Sequence, residues 1–157
     1  MTATAHALVS GAIAARFSDP VTACMLALAS HYVMDSIPHW DFGTNWRNRP
    51  KKLTGILAIA ETTAGFVLSY VFFGQHLPFW LWMATVASGL LPDWLETPWY
   101  IFFAHAKKHE PGHTAGLAEK VSYAFYKVPN VFHSKAQFPL GVVTQIATVL
   151  FFLVILQ

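Results

Sequence analysis

Apolar residues along this chain gather in five long runs rather than alternating, and each run has the length and flanks of a helix. The first covers residues 4–17 and is rich in Ala and Gly. The second runs from Pro20, a residue at home in a first helical turn, to Ile37, just before Pro38. The third covers 53–73, the fourth 78–103 and the fifth 139–157. Between the last two lies a more polar segment, 105–138. There Leu117, Val121, Ala124, Phe125 and Val128 recur at helical spacing opposite Glu119, Lys120 and Lys127, which predicts an amphipathic helix, either on a membrane surface or packed over the bundle. A spanning helix needs about 20 mainly apolar residues. The last three runs meet that length and the first two approach it, while Gly11, Ala12, Ala14 and Ala15 would let the first pack closely on its neighbours. The expected fold is all-α, a polytopic integral membrane bundle of about five hydrophobic helices plus a cytoplasmic interfacial helix. It forms one domain over 1–157: hairpins at 4–37 and 53–103, a cytoplasmic segment at 104–138 and a final helix at 139–157.

Composition strengthens the membrane reading. The chain is 55% hydrophobic, 15% aromatic and only 11% charged, against about a quarter charged in ordinary soluble domains. A formal charge of +2 argues against a nucleic-acid partner. Membrane lipids are the expected partners, with a protein partner or a second copy as a further option. Lone Cys24 lies in an apolar run, so neither a disulfide framework nor a cysteine zinc site is available. No basic region precedes "TATAHALVSGAIAA", so the first helix is expected to stay in the mature chain. Arg47, Arg49, Lys51 and Lys52 follow the second helix, and Lys107, Lys108, Lys120, Lys127 and Lys135 follow the fourth. The positive-inside rule places both stretches in the cytoplasm. That gives a multi-pass membrane protein with a cytoplasmic N-terminus, although Arg16 points the other way.

Ionisable residues then fall on one side of this arrangement. His6 opens the first helix, His31 and Asp35 close the second, Asp93 and Glu96 lie late in the fourth, and His133 precedes the fifth. Glu61 sits inside "GILAIAETTAGFVLSY" with no cationic neighbour on its helix. There is an internal echo as well: "ASHYVMD" at 29–35 matches "ASGLLPD" at 87–93 with Ala, Ser and Asp in register. Residues four apart share a helix face, as His31 and Asp35 do, and Asp93 and Glu96 are three apart. Together with His6, Glu61 and His133 they make a mixed nitrogen and oxygen set suited to zinc, manganese or iron. Any one of these groups alone reads equally well as a side chain reaching an interface. As a set on one side they read as a site. His39 and Asp41, in "PHWDFG", read as a helix exit beside an interfacial Trp, and His105, His109 and His113 read as a solvated basic loop.

The N-terminal His, "HYVMDSIPHWD" at 31–41, "GLLPDWLETP" at 89–98 and "FHS" at 132–134 resemble a group of small bacterial membrane-bound metal-dependent hydrolases. That group includes the LexA-binding inner-membrane hydrolase-like proteins. A fuller H-R-G-x-T-H-S element of the group is reduced here to "HS" at 133–134. The resemblance implies a place in the bacterial inner membrane, a metal and hydrolysis, without fixing a substrate. The expectation is a membrane-embedded, metal-dependent hydrolase cleaving an ester or phosphoester, of a lipid, at the cytoplasmic leaflet. In it His6, His31, Asp35, Asp93 and His133 hold a divalent ion, zinc first, and Glu61 or Glu96 is the general base. Two other classes compete: a non-catalytic accessory subunit of a membrane complex, and a proton or cation transporter.

Overall fold

In the computed structural model, which describes residues 1–41, 49–104 and 110–157, the described residues form α1 (Ala3–Arg16), α2 (Pro20–Ser36), α3 (Lys51–Phe72), α4 (Phe79–Pro98), α5 (Leu117–Phe132) and α6 (Leu140–Ile155). A 3-10 turn at Gly74–His76 joins α3 to α4, and a π-helical turn at Trp99–Phe103 extends α4. The helix starts follow local chemistry. Thr2 caps α1 by accepting from the Ala5 amide, and Asp19 caps α2 by accepting from the Thr22 amide at 2.7 Å, with Pro20 next. Such a cap contributes about 1 kcal/mol.

The centre of the bundle is α1, which packs on α2, α3, α4 and α6. From Ala5 to Ala14 every residue except Leu8 is buried. Small side chains make this possible, because Ala, Ser and Gly let several neighbouring helices approach one axis. Val9 and Ile13 of α1 join Met34 of α2 and Leu81 of α4 in the apolar core, each worth about 1.5–3 kcal/mol when buried. Where α1 passes α4, Gly89 takes the contact. A Cβ there would lie 3.2 Å from Ser10 Cβ and overlap the Ser10 hydroxyl. Large apolar side chains also face outward, among them Val21, Ile59, Phe72, Trp80 and Phe151.

The membrane expectation requires correction. Among the described residues, α3 is the one helix long and apolar enough to cross a bilayer, at 22 residues with a mean hydropathy of 1.6. α1, α2 and α6 have 14, 17 and 16 residues, or about 21, 26 and 24 Å at 1.5 Å per residue. A hydrocarbon core is about 30 Å thick. α4 reaches 20 residues, but Pro92, Asp93 and Glu96 occupy its last third. The polytopic five-span bundle is therefore replaced by an all-α helical bundle with a single candidate span. With it go the multi-pass inner-membrane placement, its orientation and the membrane-embedded lipid hydrolase at a cytoplasmic leaflet. Composition misled because it averages apolar residues over helices too short or too acidic to span. The expected interfacial helix, α5, is docked instead on α2 and α4. Tyr126 stacks on the fully buried Trp99 and Tyr123 packs against it at a tilt, at ring-centroid distances of 6.0 and 4.9 Å.

One irregular segment positions the site. After α5 the chain turns back beside the end of α2. The Ser134 amide donates to the Asp35 carbonyl (2.8 Å), the His39 amide to the Ser134 carbonyl (3.2 Å), and the Ala136 amide to the His39 carbonyl (2.8 Å). At Gly141 the start of α6 closes against this strand-like pairing. A Cβ there would come within 2.6 Å of both the Ala136 carbonyl oxygen and the Trp40 nitrogen.

Candidate metal centre

Asp35, 2% exposed, is the hub of the buried polar centre. Its Oδ1 lies 3.1 Å from His6 Nε2 and 3.7 Å from His39 Nε2. Its Oδ2 lies 3.4 Å from both His31 Nε2 and His133 Nδ1. The α-amino group of Met1 also lies against Oδ1. Four imidazoles thus converge on one carboxylate, from α1, from α2, from the turn after α2 and from the segment after α5. Asp93, from α4, stands 3.7 Å from His31 Nε2 with 34% of its side chain exposed. Asp41 sits behind His133 and His39, with Oδ2 at 2.8 Å from His133 Nε2 and 3.8 Å from His39 Nε2, and Lys135 Nζ at 3.4 Å.

Ring orientation gives this cluster chemical meaning. His31 Nδ1 is 2.8 Å from the Gly89 carbonyl, and His39 Nδ1 is 2.8 Å from the Ile37 carbonyl. A carbonyl oxygen only accepts, so Nδ1 carries the proton in both rings. In the neutral imidazole the Nε2 lone pair then faces the carboxylates. His31 Nε2 is buried without a hydrogen-bond partner among the described residues, as is Nδ1 of His6. His133 Nε2 donates to Asp41, which turns its Nδ1 toward Asp35. Lone pairs aimed at a carboxylate repel it unless a cation lies between. A backbone carbonyl or carboxylate holding the far nitrogen is the usual outer support of a metal-ligating histidine.

The spacings also suit a small divalent ion. Ligand atoms about 2.1 Å from a tetrahedral zinc lie about 3.4 Å apart, close to the 3.4 and 3.7 Å separations here. Two sets of three ligand atoms each close within 4.8 Å: His6, His31 and Asp93, and Asp35, His39 and His133. The protein therefore contains two buried His/Asp clusters capable of coordinating a divalent metal ion.

Protonation runs in the same direction. Burial, then the nearby charges of His31 and the Met1 amine, hold the His6 imidazole well below 6.5. Burial pushes the carboxyls of Asp35 and Asp41 up, but their neighbours outweigh it. The hydrogen bond from His6 and the charge of the Met1 amine hold Asp35 far below the usual carboxylate range, and the bond from His133 with the charge of Lys135 does the same for Asp41. Neutral imidazole and ionised carboxylate are the ligand forms a metal requires.

Beside the cluster a cavity of about 170 Å³ is bordered by Asp93, His133, Asp41, Glu61, Glu96 and Tyr100, with Arg49 and Lys135 on its wall. Glu96, 6% exposed, accepts from Tyr100 Oη at 2.6 Å and from Asn130 Nδ2 at 3.4 Å. Burial and the charges of Asp93 and Asp35 push its carboxyl up to about 8 against the Tyr100 bond. Glu61 Oε1 is buried without a hydrogen-bond partner among the described residues.

All five residues expected as ligands, His6, His31, Asp35, Asp93 and His133, gather here, and Glu61 and Glu96 border the adjoining cavity. His39 and Asp41 are the residues that sequence reasoning passed over. "PHWD" looks like a helix exit until the segment around Ser134 pairs with it. His105 and His109 lie outside the described residues. The internal echo acquires a physical basis, because His31 donates to the carbonyl of Gly89, its own counterpart 58 residues on. The two echoed aspartates, Asp35 and Asp93, flank the same His31 nitrogen. No family model, curated protein or solved structure matches the chain.

Proposed function

We propose that this protein is a metal-dependent hydrolase whose His/Asp centre binds a divalent ion, with zinc the best fit and manganese or iron accommodated by the same donors. The observation that carries the reading is the fixed outward Nδ1–H of His31 and His39, which leaves both Nε2 atoms turned inward on Asp35. The resemblance to the small metal-dependent hydrolases supports it from the sequence side. His6, His31, Asp35, Asp93 and His133 are the proposed ligands, joined by His39.

A bound divalent ion supplies Lewis acidity, polarising a substrate oxygen and acidifying water. The chain's own groups do the rest from the cavity wall. Glu61, with an oxygen that no described residue hydrogen-bonds, takes the proton of the attacking water. Glu96 holds its proton to about pH 8 and suits the opposite role, giving a proton to the leaving group. Tyr100 and Asn130 orient it for that transfer. Of the two carboxyls first considered as bases, the geometry thus favours Glu61 as base and Glu96 as acid.

Metal content of the purified protein by elemental mass spectrometry is the direct test, alongside hydrolysis of chromogenic esters and phosphoesters. Bound transition metal and chelator-sensitive turnover are expected, with both lost in a folded D35A/D93A variant. Absence of metal after incubation with zinc or manganese overturns the reading.

A further inference from the structure

We propose that the centre is dinuclear, with the two carboxylate oxygens of Asp35 bridging two divalent ions. The inference rests on the metal-binding reading above and specifies how many ions the site takes and how they are joined.

The two clusters are built from different parts of the chain. His6 comes from α1, His31 from α2 and Asp93 from α4, all within helices. His39 and His133 come from irregular segments pinned together by the pairing around Ser134. Each set closes within 4.8 Å on its own, so neither needs the other set's imidazoles to make a three-ligand site. Asp35 reaches both. Its Oδ2 stands 3.4 Å from His31 Nε2 on one side and 3.4 Å from His133 Nδ1 on the other, and its Oδ1 lies between His6 and His39 at 3.1 and 3.7 Å. All four separations are near the edge of a metal coordination polyhedron. A carboxylate placed this way between two nitrogen pairs has the donor geometry of a bridge, holding ions at the 3.5–4 Å typical of two-metal hydrolytic sites.

Ligand availability agrees with two ions. In one set His31 Nε2 is fully buried and has no hydrogen-bond partner among the described residues. In the other, His39 Nε2 faces His133 Nε2 at 3.0 Å, and His39 has already committed Nδ1–H to the Ile37 carbonyl. Only the His133 nitrogen can supply the proton of that contact, and Asp41 competes for it at 2.8 Å. A cation among His39, Asp41 and Asp35 resolves this competition.

The test uses metal-free, full-length protein titrated with Mn(II). Wild type is expected to bind two Mn(II) per chain, counted by elemental analysis after dialysis, with an exchange-coupled paramagnetic resonance spectrum. H39A should retain one uncoupled Mn(II), and H31A should do the same through the other set. D35N should lose the coupling and weaken binding of both ions, with helicity checked by circular dichroism. Saturation of wild type at one Mn(II), at none, or at two without coupling overturns the bridge, and this count stands even if a variant fails to fold. The outcomes separate the two readings. Hydrolysis by a one-ion protein sinks the dinuclear centre and leaves the hydrolase. Two coupled ions without turnover sink the hydrolase and leave the dinuclear centre.

Discussion

Glu96 offers the clearest quantitative prediction, because its effect can be read from stability alone, without metal or substrate. In the unfolded chain its carboxyl titrates near 4.5, and in the bundle burial beside Asp93 and Asp35 raises it to about 8. Between those values the folded protein binds more protons than the unfolded one, so stability falls as pH rises. The stabilisation is present in full below about pH 4.5 and is lost as pH passes about 8. At about 1.4 kcal/mol per pH unit, the displacement corresponds to about 5 kcal/mol as an upper figure. Glu96→Gln keeps the shape and can still accept from Tyr100, but it cannot ionise. Urea denaturation of metal-free protein should therefore find wild type and E96Q about equally stable at pH 4.5–5. At pH 9 the variant should be more stable, by several kcal/mol and at most about 5. Parallel stability curves for the two proteins from pH 5 to 9 would refute an uncharged, buried Glu96.

Four further outcomes follow from the same geometry. Tyr100→Phe removes the 2.6 Å bond that lowers the Glu96 carboxyl, so the midpoint of the difference between Y100F and Y100F/E96Q should move upward by about one pH unit. Gly89→Ala puts a methyl group into Ser10 and should cost about 1–3 kcal/mol in urea denaturation. Adding Ser10→Ala should recover part of that loss, because the overlapped hydroxyl is gone. Asp41→Asn weakens the acceptor that holds His133 at 2.8 Å, and metal affinity measured by competition with a chromophoric chelator should fall about 10- to 100-fold. Gly141→Ala forces apart the Trp40 and Ala136 backbones. Hydrogen exchange should then speed up at the His39 and Ala136 amides while the α1 amides stay protected.

Helices were legible in the sequence because apolar run length, Pro20 after Asp19 and the capping chemistry of Thr2 and Asp19 are local properties. The chemistry of the centre was partly legible for the same reason. His31 and Asp35 share a face by spacing alone, and the echo at Asp35 and Asp93 marked two helices as counterparts. Two matters lay beyond any local pattern. One was how the helices use their apolar surface. A run of Ala, Ser and Gly reads the same whether it meets lipid or four other helices, and only packing showed α1 enclosed by its neighbours. The other was the second half of the centre. His39 and His133 are separated by 94 residues and brought to 3.0 Å by a short backbone pairing. A hydrogen bond between irregular segments leaves no periodic trace in the residues that make it. The sequence by itself determined which residue types were available and which helix faces they occupied. Tertiary structure decided which lone pairs meet, because that depends on the carbonyls of Gly89 and Ile37 turning two imidazoles inward.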